Sequence, residues 1–245
     1  MYRYIFSVIG CLLGVYSMAQ VNETPVTQPL DSTSASISSK ETKVKKPRDW
    51  KPSMIRIGYD LANQANSLVN PDRSGFQGIA EVDFDRFFVV GSFGQATIRR
   101  GENYNYQSQG SFWRVGIDKN LTTALTDRSV YSFGFRYARS RFDESIDMLD
   151  GSSVVSNSAL TASWVEITTG LRVRVWKELF MGYQIRLRTL KRLSDELGPL
   201  QTYDIPGFGQ NKSSGNTVRN AAVGFNYYVY WTIPFRDKTP LPKSK

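Results

Sequence analysis

The stretch Val218-Arg-Asn-Ala-Ala-Val-Gly-Phe-Asn-Tyr-Tyr-Val-Tyr-Trp-Thr-Ile-Pro-Phe235 alternates two kinds of residue. One face carries Ala221, Val223, Phe225, Tyr227, Val229, Trp231, Ile233 and Phe235; the other carries Asn220, Ala222, Gly224, Asn226, Tyr228, Tyr230 and Thr232. A period of two means a strand whose two sides meet different surroundings. The run covers the roughly 9–11 residues that a tilted strand needs to cross a bilayer.

Seven earlier runs share the pattern. The first sets Ile55, Ile57, Tyr59 and Leu61 against Arg56, Gly58 and Asp60; the second sets Phe76 to Phe84 against Gln77, Glu81 and Asp83. The third, Phe87 to Ile98, is ambiguous because both faces start apolar. Then come Trp113 to Ile117, Tyr131 to Tyr137, Val165 to Val175 and Leu179 to Leu187. Connectors alternate in length. About 63–75, 99–110, 142–157 and 190–217 are long, whereas Asp85-Arg86 and Lys177-Glu178 are tight and 119–128 is intermediate. Short turns at one end and long loops at the other are the habit of membrane barrels with both termini on one side. The expected fold is therefore all-β, an eight-stranded antiparallel up-and-down transmembrane β-barrel over residues 53–236, with short periplasmic turns and long external loops.

Charge type separates this reading from a soluble barrel that hides its apolar face inside. Between Ser53 and Phe235 the lysines are Lys119, Lys177, Lys191 and Lys212, all in turns, loops or strand ends. The polar faces use arginine with Asp, Glu, Gly, Ala and Ser. A planar guanidinium pairs with carboxylates in several directions where water is scarce, and eight strands enclose just enough room for side chains to fill the bore. An interior ion-pair network is expected from Arg56, Arg114, Arg136, Arg172, Arg174, Arg186 and Arg188 with Asp60, Glu81, Asp83, Asp118 and Glu166. Trp231, Phe235 and Tyr131 are placed for an interfacial girdle.

Residues 1–20 form the expected signal peptide: Met1-Tyr2-Arg3-Tyr4, an apolar run from Ile5 to Tyr16, then Ser17-Met18-Ala19. Val8-Ile9-Gly10-Cys11 resembles a lipoprotein box, but the apolar run continues past Cys11, so an ordinary cleaved leader is the main expectation. Cys11 is the only cysteine, which leaves the mature chain without thiol or disulfide chemistry. Residues 21–52, rich in Ser, Thr, Pro and Lys, are expected to form a disordered periplasmic linker, and 237–245 a C-terminal tail. The net charge of +9 does not point to nucleic acid, because the strand arginines are interspersed with acids rather than gathered on a lysine-rich face.

The leader, the eight alternating runs and the long-loop, short-turn rhythm resemble small eight-stranded outer-membrane barrels, the OmpA-type transmembrane domain among them. The leader ending and texture are also similar to an uncharacterised Bacteroidota family of outer-membrane β-barrel proteins of unknown function. The resemblance implies the outer membrane as location and carries no functional residue. Such barrels often end on an aromatic residue, whereas here Phe235 is followed by Arg236 to Lys245.

The absence of histidine removes Ser-His-Asp hydrolysis and histidine-based metal or proton chemistry. Glu81 and Asp83 share a face, as a carboxylate pair would, but arginines around them suit a structural network better. Asp143, Glu144, Asp147 and Asp150-Gly151 supply oxygen ligands without the regular spacing of a calcium loop, so a solvated acidic loop is expected. No catalytic, cofactor or metal site is expected. Arg99, Arg100, Tyr104 and Tyr106 mix cations and aromatics that suit sugar or phosphate contacts. In the longest connector, the apolar residues among Tyr203, Ile205, Pro206 and Phe208 are expected to fold over the barrel mouth or dock a partner, with docking favoured over mere decoration. The leading functional reading is a non-enzymatic structural or interaction component of the envelope, in contact with the outer-membrane bilayer and with envelope proteins. A small pore and a soluble lipocalin-like binder are the alternatives.

Overall fold

In the computed structural model the chain divides into Met1–Lys46 and Pro47–Lys245. The structure describes residues 51–236 apart from 85, 102–103, 123–128, 149–153, 194–201 and 215–216. The expected signal peptide, most of the linker, the C-terminal tail and the Asp150-Gly151 pair lie outside the described residues.

Eight strands close a ring: β1 (Met54–Asp60), β2 (Arg73–Phe84), β3 (Phe87–Gly101), β4 (Tyr104–Asn120), β5 (Val130–Met148), β6 (Val154–Trp176), β7 (Leu179–Leu193) and β11 (Ala221–Pro234). Each pairs antiparallel with its neighbours, and β1 with β11 completes the circle through Met54↔Pro234 to Asp60↔Tyr228. A small separate sheet, β8 (Thr202–Ile205), β9 (Gly209–Ser214) and β10 (Thr217–Arg219), lies in the β7–β11 connector. The start and finish of the ring and the ends of the strands joined by the β2–β3, β4–β5 and β6–β7 connectors share one end, called here the terminal end. The other is the distal end.

The polarity is inside out. On β5 the outward residues Tyr131, Phe133, Phe135 and Tyr137 are exposed, while Ser132, Arg136, Ala138 and Ser140 are buried. On β11, Phe225 and Trp231 are exposed and Asn226, Tyr228 and Tyr230 buried. Only hydrocarbon makes that arrangement favourable, since in water the apolar rows would turn inward. This is a transmembrane barrel, the reverse of a soluble one with an apolar bore. Ring pairs stand on the apolar belt, Phe76–Phe93 at 6.2 Å and Trp113–Tyr137 at 5.8 Å toward its distal edge and Tyr183–Phe225 at 6.4 Å within it.

Two expected loops are strand instead. β3 and β4 stay paired as far as Gly101↔Asn105, and β5 and β6 as far as Asp147↔Val154. Past the belt the outward residues turn polar, with Gln107, Gln109 and Ser111 on β4 and Arg139, Arg141 and Asp143 on β5. With polar residues on the outer face the apolar alternation stops, so pattern reading mistook a wetted hairpin for a loop. β5 and β6, at 19 and 23 residues, therefore rise well past the roughly 9–11 that the bilayer requires.

The first connector also differs. Leu61–Val69 is a helix, α1, rather than the end of a strand followed by a loop. Asp60 caps it, its carboxylate accepting from Ala62 N at 3.1 Å and Asn63 N at 3.3 Å. β3 resolves its ambiguity by turning Phe88 and Val90 inward.

The belt makes a measurable prediction. Phe135→Arg, at a site 55% exposed in the middle of the outward row, is expected to lower unfolding free energy in lipid by about 2–4 kcal/mol. Gln109→Arg, beyond the belt, is expected to cost about 0–1 kcal/mol. Denaturant titration in vesicles, with heat-modifiable gel migration reporting the folded barrel, compares the two.

Candidate functional site in the barrel bore

The bore is built in tiers. One apolar and aromatic cluster in the terminal half joins Ile79, Phe88, Val90, Val130, Phe180, Tyr228 and Tyr230. The Arg56 guanidinium lies 4.9 Å from the Phe180 ring and 5.3 Å from Phe88, and Arg172 lies 5.4 Å from Phe88. These aromatic faces accept cations whose other sides are engaged by carboxylates.

Two chains of polar contacts cross the middle. In one, Glu81 meets Arg172 at 2.6 Å and Arg56 at 3.9 Å. Asp118 then bridges Arg172 at 2.8 Å and Arg136 at 2.9 Å, and Arg136 donates to Gln184 Oε1 at 3.1 Å. In the other, Glu166 accepts from Arg114 Nε at 2.9 Å and Trp164 Nε1 at 2.7 Å, with Arg186 at 3.8 Å. Arg186 donates to Asn226, and Asn226 to Asp60. Small residues make these positions possible. A Cβ on Gly134 would stand 2.0 Å from Asp118 Oδ1, where no side chain fits.

The twelve residues expected in the network divide accordingly. Arg56, Glu81, Arg114, Asp118, Arg136, Glu166, Arg172 and Arg186 are buried and ion-paired. Asp60 and Asp83 are buried and accept hydrogen bonds, Asp60 from Asn226 and the α1 amides and Asp83 from Ser53 Oγ at 2.9 Å. Arg188 is half-buried and donates to the carbonyls of Gly207 and Phe208. Arg174 is a correction. It keeps the inward parity opposite Phe180, but it lies at the rim of the barrel, where residues 173–177 are all exposed, and its Nε donates to the Lys177 carbonyl. Sequence reasoning did not single out Gln184, Asn226 and Trp164 as partners. Asn226 stood on the inward row of the last strand, but nothing in one row says which opposite row it meets.

The distal mouth is closed from above. Ile205 and Phe208, both fully buried, join Phe112, Ala138, Phe142, Leu160, Ala162, Trp164 and Leu190 in one cluster, and the Trp164 and Phe208 rings meet edge-on at 5.7 Å. Gly207 turns the chain between them at φ +81°, and a Cβ there would lie 2.4 Å from the Phe112 ring. Arg114 Nη2 reaches back to the Gly207 carbonyl at 2.8 Å, so the cap and the network share a residue. Residues 205–208 thus fold over the mouth.

Residues 1–238 match the family described as Domain of unknown function (DUF6048). The chain belongs to that family. No curated protein matches it in sequence. Among solved structures, this DUF6048 chain is similar to the crystal structure of Neisserial surface protein A (NspA), with 11% identity and a TM-score of 0.39, over 75% of this chain and 96% of that one.

Above the belt the DUF6048 chain holds a second buried polar group. Asp204 pairs with Arg100 and, at 3.5 Å, with Arg73, while its N–H donates to Tyr106 Oη at 3.0 Å and its carbonyl accepts from Ser108 Oγ at 2.7 Å. Arg100 and Tyr106, expected in a loop, are therefore strand residues that hold the cap. Burial pushes the Asp204 carboxyl upward while Arg100 and Arg73 pull the other way. The expected acidic loop is strand as well: Asp143 and Asp147 face out, whereas Glu144 is buried, and burial raises its carboxyl from 4.5 to about 7. Among the described residues no group of three potential metal ligands converges. Each of the five carboxylates expected in the network is engaged by an arginine, a hydroxyl or an amide. That suits charge neutralisation.

Asp118→Asn strands Arg136 and Arg172 in the bore and is expected to cost about 3–5 kcal/mol of unfolding free energy; Asp118→Asn combined with Arg136→Met is expected to recover part of it. For Glu144 the neutral form is the one that burial favours. Its contribution is present below 4.5 and is lost as pH rises to about 7, with no further loss above. Distal-half amides of β5 are expected to lose exchange protection over that window, once corrected for intrinsic rates, and Glu144→Gln to flatten the profile.

Proposed function

We propose that this protein is a non-enzymatic, non-conducting outer-membrane barrel that serves as a structural or interaction component of the cell envelope, an accessory subunit of a larger assembly. The terminal end faces the periplasm, reached by the cleaved leader and the basic linker. The distal end faces outward. One observation carries the reading: the bore is filled by paired arginines and carboxylates and capped by Ile205 and Phe208, which leaves the outer surfaces for function. Support comes also from the lack of histidine and from the strand hairpins that lift the cap beyond the belt. A rigid platform on long β5 and β6 extensions suits a protein partner, because the contact surface is ordered before binding and less entropy is lost on docking.

Planar-bilayer recording of the folded protein is expected to show no stepwise current, and a steady conductance would return the pore reading. A photo-crosslinker at exposed Gln210 in the cap is expected to capture the same envelope protein in repeated native preparations. Recovery of this protein alone, each time, would remove the subunit role.

A further inference from the structure

β1 has only seven residues. Its pairing stops at Asp60↔Tyr228 on one side and Tyr59↔Gly78 on the other. β2 and β11 continue past it, over residues 73–77 and 221–227, where they pair only with β3 and β7. The wall therefore has a gap one strand wide toward the distal end, bordered by two open strand edges. Such edges are intolerable in lipid unless something covers them.

α1 lies in that gap and touches both borders. Ala62, Asn63 and Ser67 are half-buried on its barrel side. Leu61, Ala65, Leu68 and Val69 recur at i, i+4, i+7 and i+8, which gathers them into one stripe. All four are exposed, Leu68 at 81% and Val69 at 77%. The stripe points the way the belt does. Leu61 follows directly on outward Ile57 and Tyr59, and Tyr59 Oη donates to Gln64 Oε1 at 2.7 Å, tying the first turn of the helix to the outer wall. Outward Val223 and Phe225, 74% and 59% exposed, stand on the adjoining strand. The helix contains no charged residue; its remaining polar groups are amides and a hydroxyl, which suit a headgroup layer of any charge.

We propose that α1 is an interfacial helix whose Leu61–Ala65–Leu68–Val69 stripe sits among the acyl chains of the distal leaflet and screens the open edges of β2 and β11 from lipid. The occupant is lipid because the stripe is continuous with a surface that already faces hydrocarbon. The inference rests on the membrane placement of the barrel, so its test carries a belt control.

In a Cys11→Ser background, single cysteines replace Leu68, Asn66 on the polar side, or Phe133 in the belt, and each carries an environment-sensitive fluorophore. The full chain is folded into phosphatidylcholine vesicles with nitroxide near the top of the acyl chains, and folding is checked by heat-modifiable migration. Labels at 68 and 133 are expected to be quenched several-fold more by nitroxide than the label at 66, with iodide giving the reverse order. Iodide quenching at 68 equal to that at 66, with 133 still in lipid, overturns the inference alone. Aqueous quenching at 133 as well overturns the membrane placement beneath it. A label at 68 shielded from both quenchers, with disulfide-linked dimers at that site, assigns the stripe to a second copy and also overturns it. Should labelling block folding, Leu68→Trp with brominated lipid gives the same readout.

Discussion

Asp118 holds two guanidinium groups, those of Arg136 and Arg172, at the centre of a bore from which bulk water is largely excluded. Neither arginine can be released to solvent, because wall strands surround them and apolar clusters lie at both ends. Charges in such a place are tolerable only as a mutually neutralising set. That requirement explains the residue types around it: Gly134, which makes room for the carboxylate; Gln184 and Ser132, which each accept one further guanidinium N–H; and the Phe88 and Tyr230 rings that face Arg172. Lysine, with one compact ammonium on a flexible stem, cannot satisfy two carboxylates in fixed directions, and no lysine is buried among the described residues.

The same neutral filling supports the proposed solid post over an aqueous channel. A porin-like bore stays wet because its polar groups are too far apart to satisfy one another. Here Glu81, Arg172, Asp118 and Arg136 form a direct relay of contacts from wall to wall, and Phe208 sits on top of the neighbouring relay through Trp164 and Arg114. The network and the cap are joined by direct contacts, Arg114 with the Gly207 carbonyl and Trp164 with Phe208.

How much of this could be read from the chain follows from the period of two. Alternation told which rows faced lipid and which faced inward, and the confinement of lysine to turns told which of those rows was enclosed. It could not tell which inward residue would meet which, since that depends on shear and tilt around the whole ring; Asn226 with Asp60 is a contact of that kind. It also failed wherever both faces of a strand met the same medium. β3 near Phe88 is apolar on both sides, and the tops of β4 and β5 are polar outside. α1 was missed because Leu61 fits a strand row equally well, and only the cap made by Asp60 distinguishes the two. Arg174 was misplaced because parity gives a residue's face but not where along the strand the enclosed bore ends; it sits opposite inward Phe180 yet at the exposed rim.

The seam between β1 and β11 joins the two most distant parts of the barrel sequence, residues 54–60 with 228–234. Loop-closure entropy sets the order of events: the neighbouring hairpins can zip locally, while this last junction must wait for the whole chain. Until it forms, β1 and β11 each present one unpaired edge to their surroundings. Biogenesis of the protein is therefore a problem of sealing, and a catalyst of membrane insertion would have to shelter these two strands above all others.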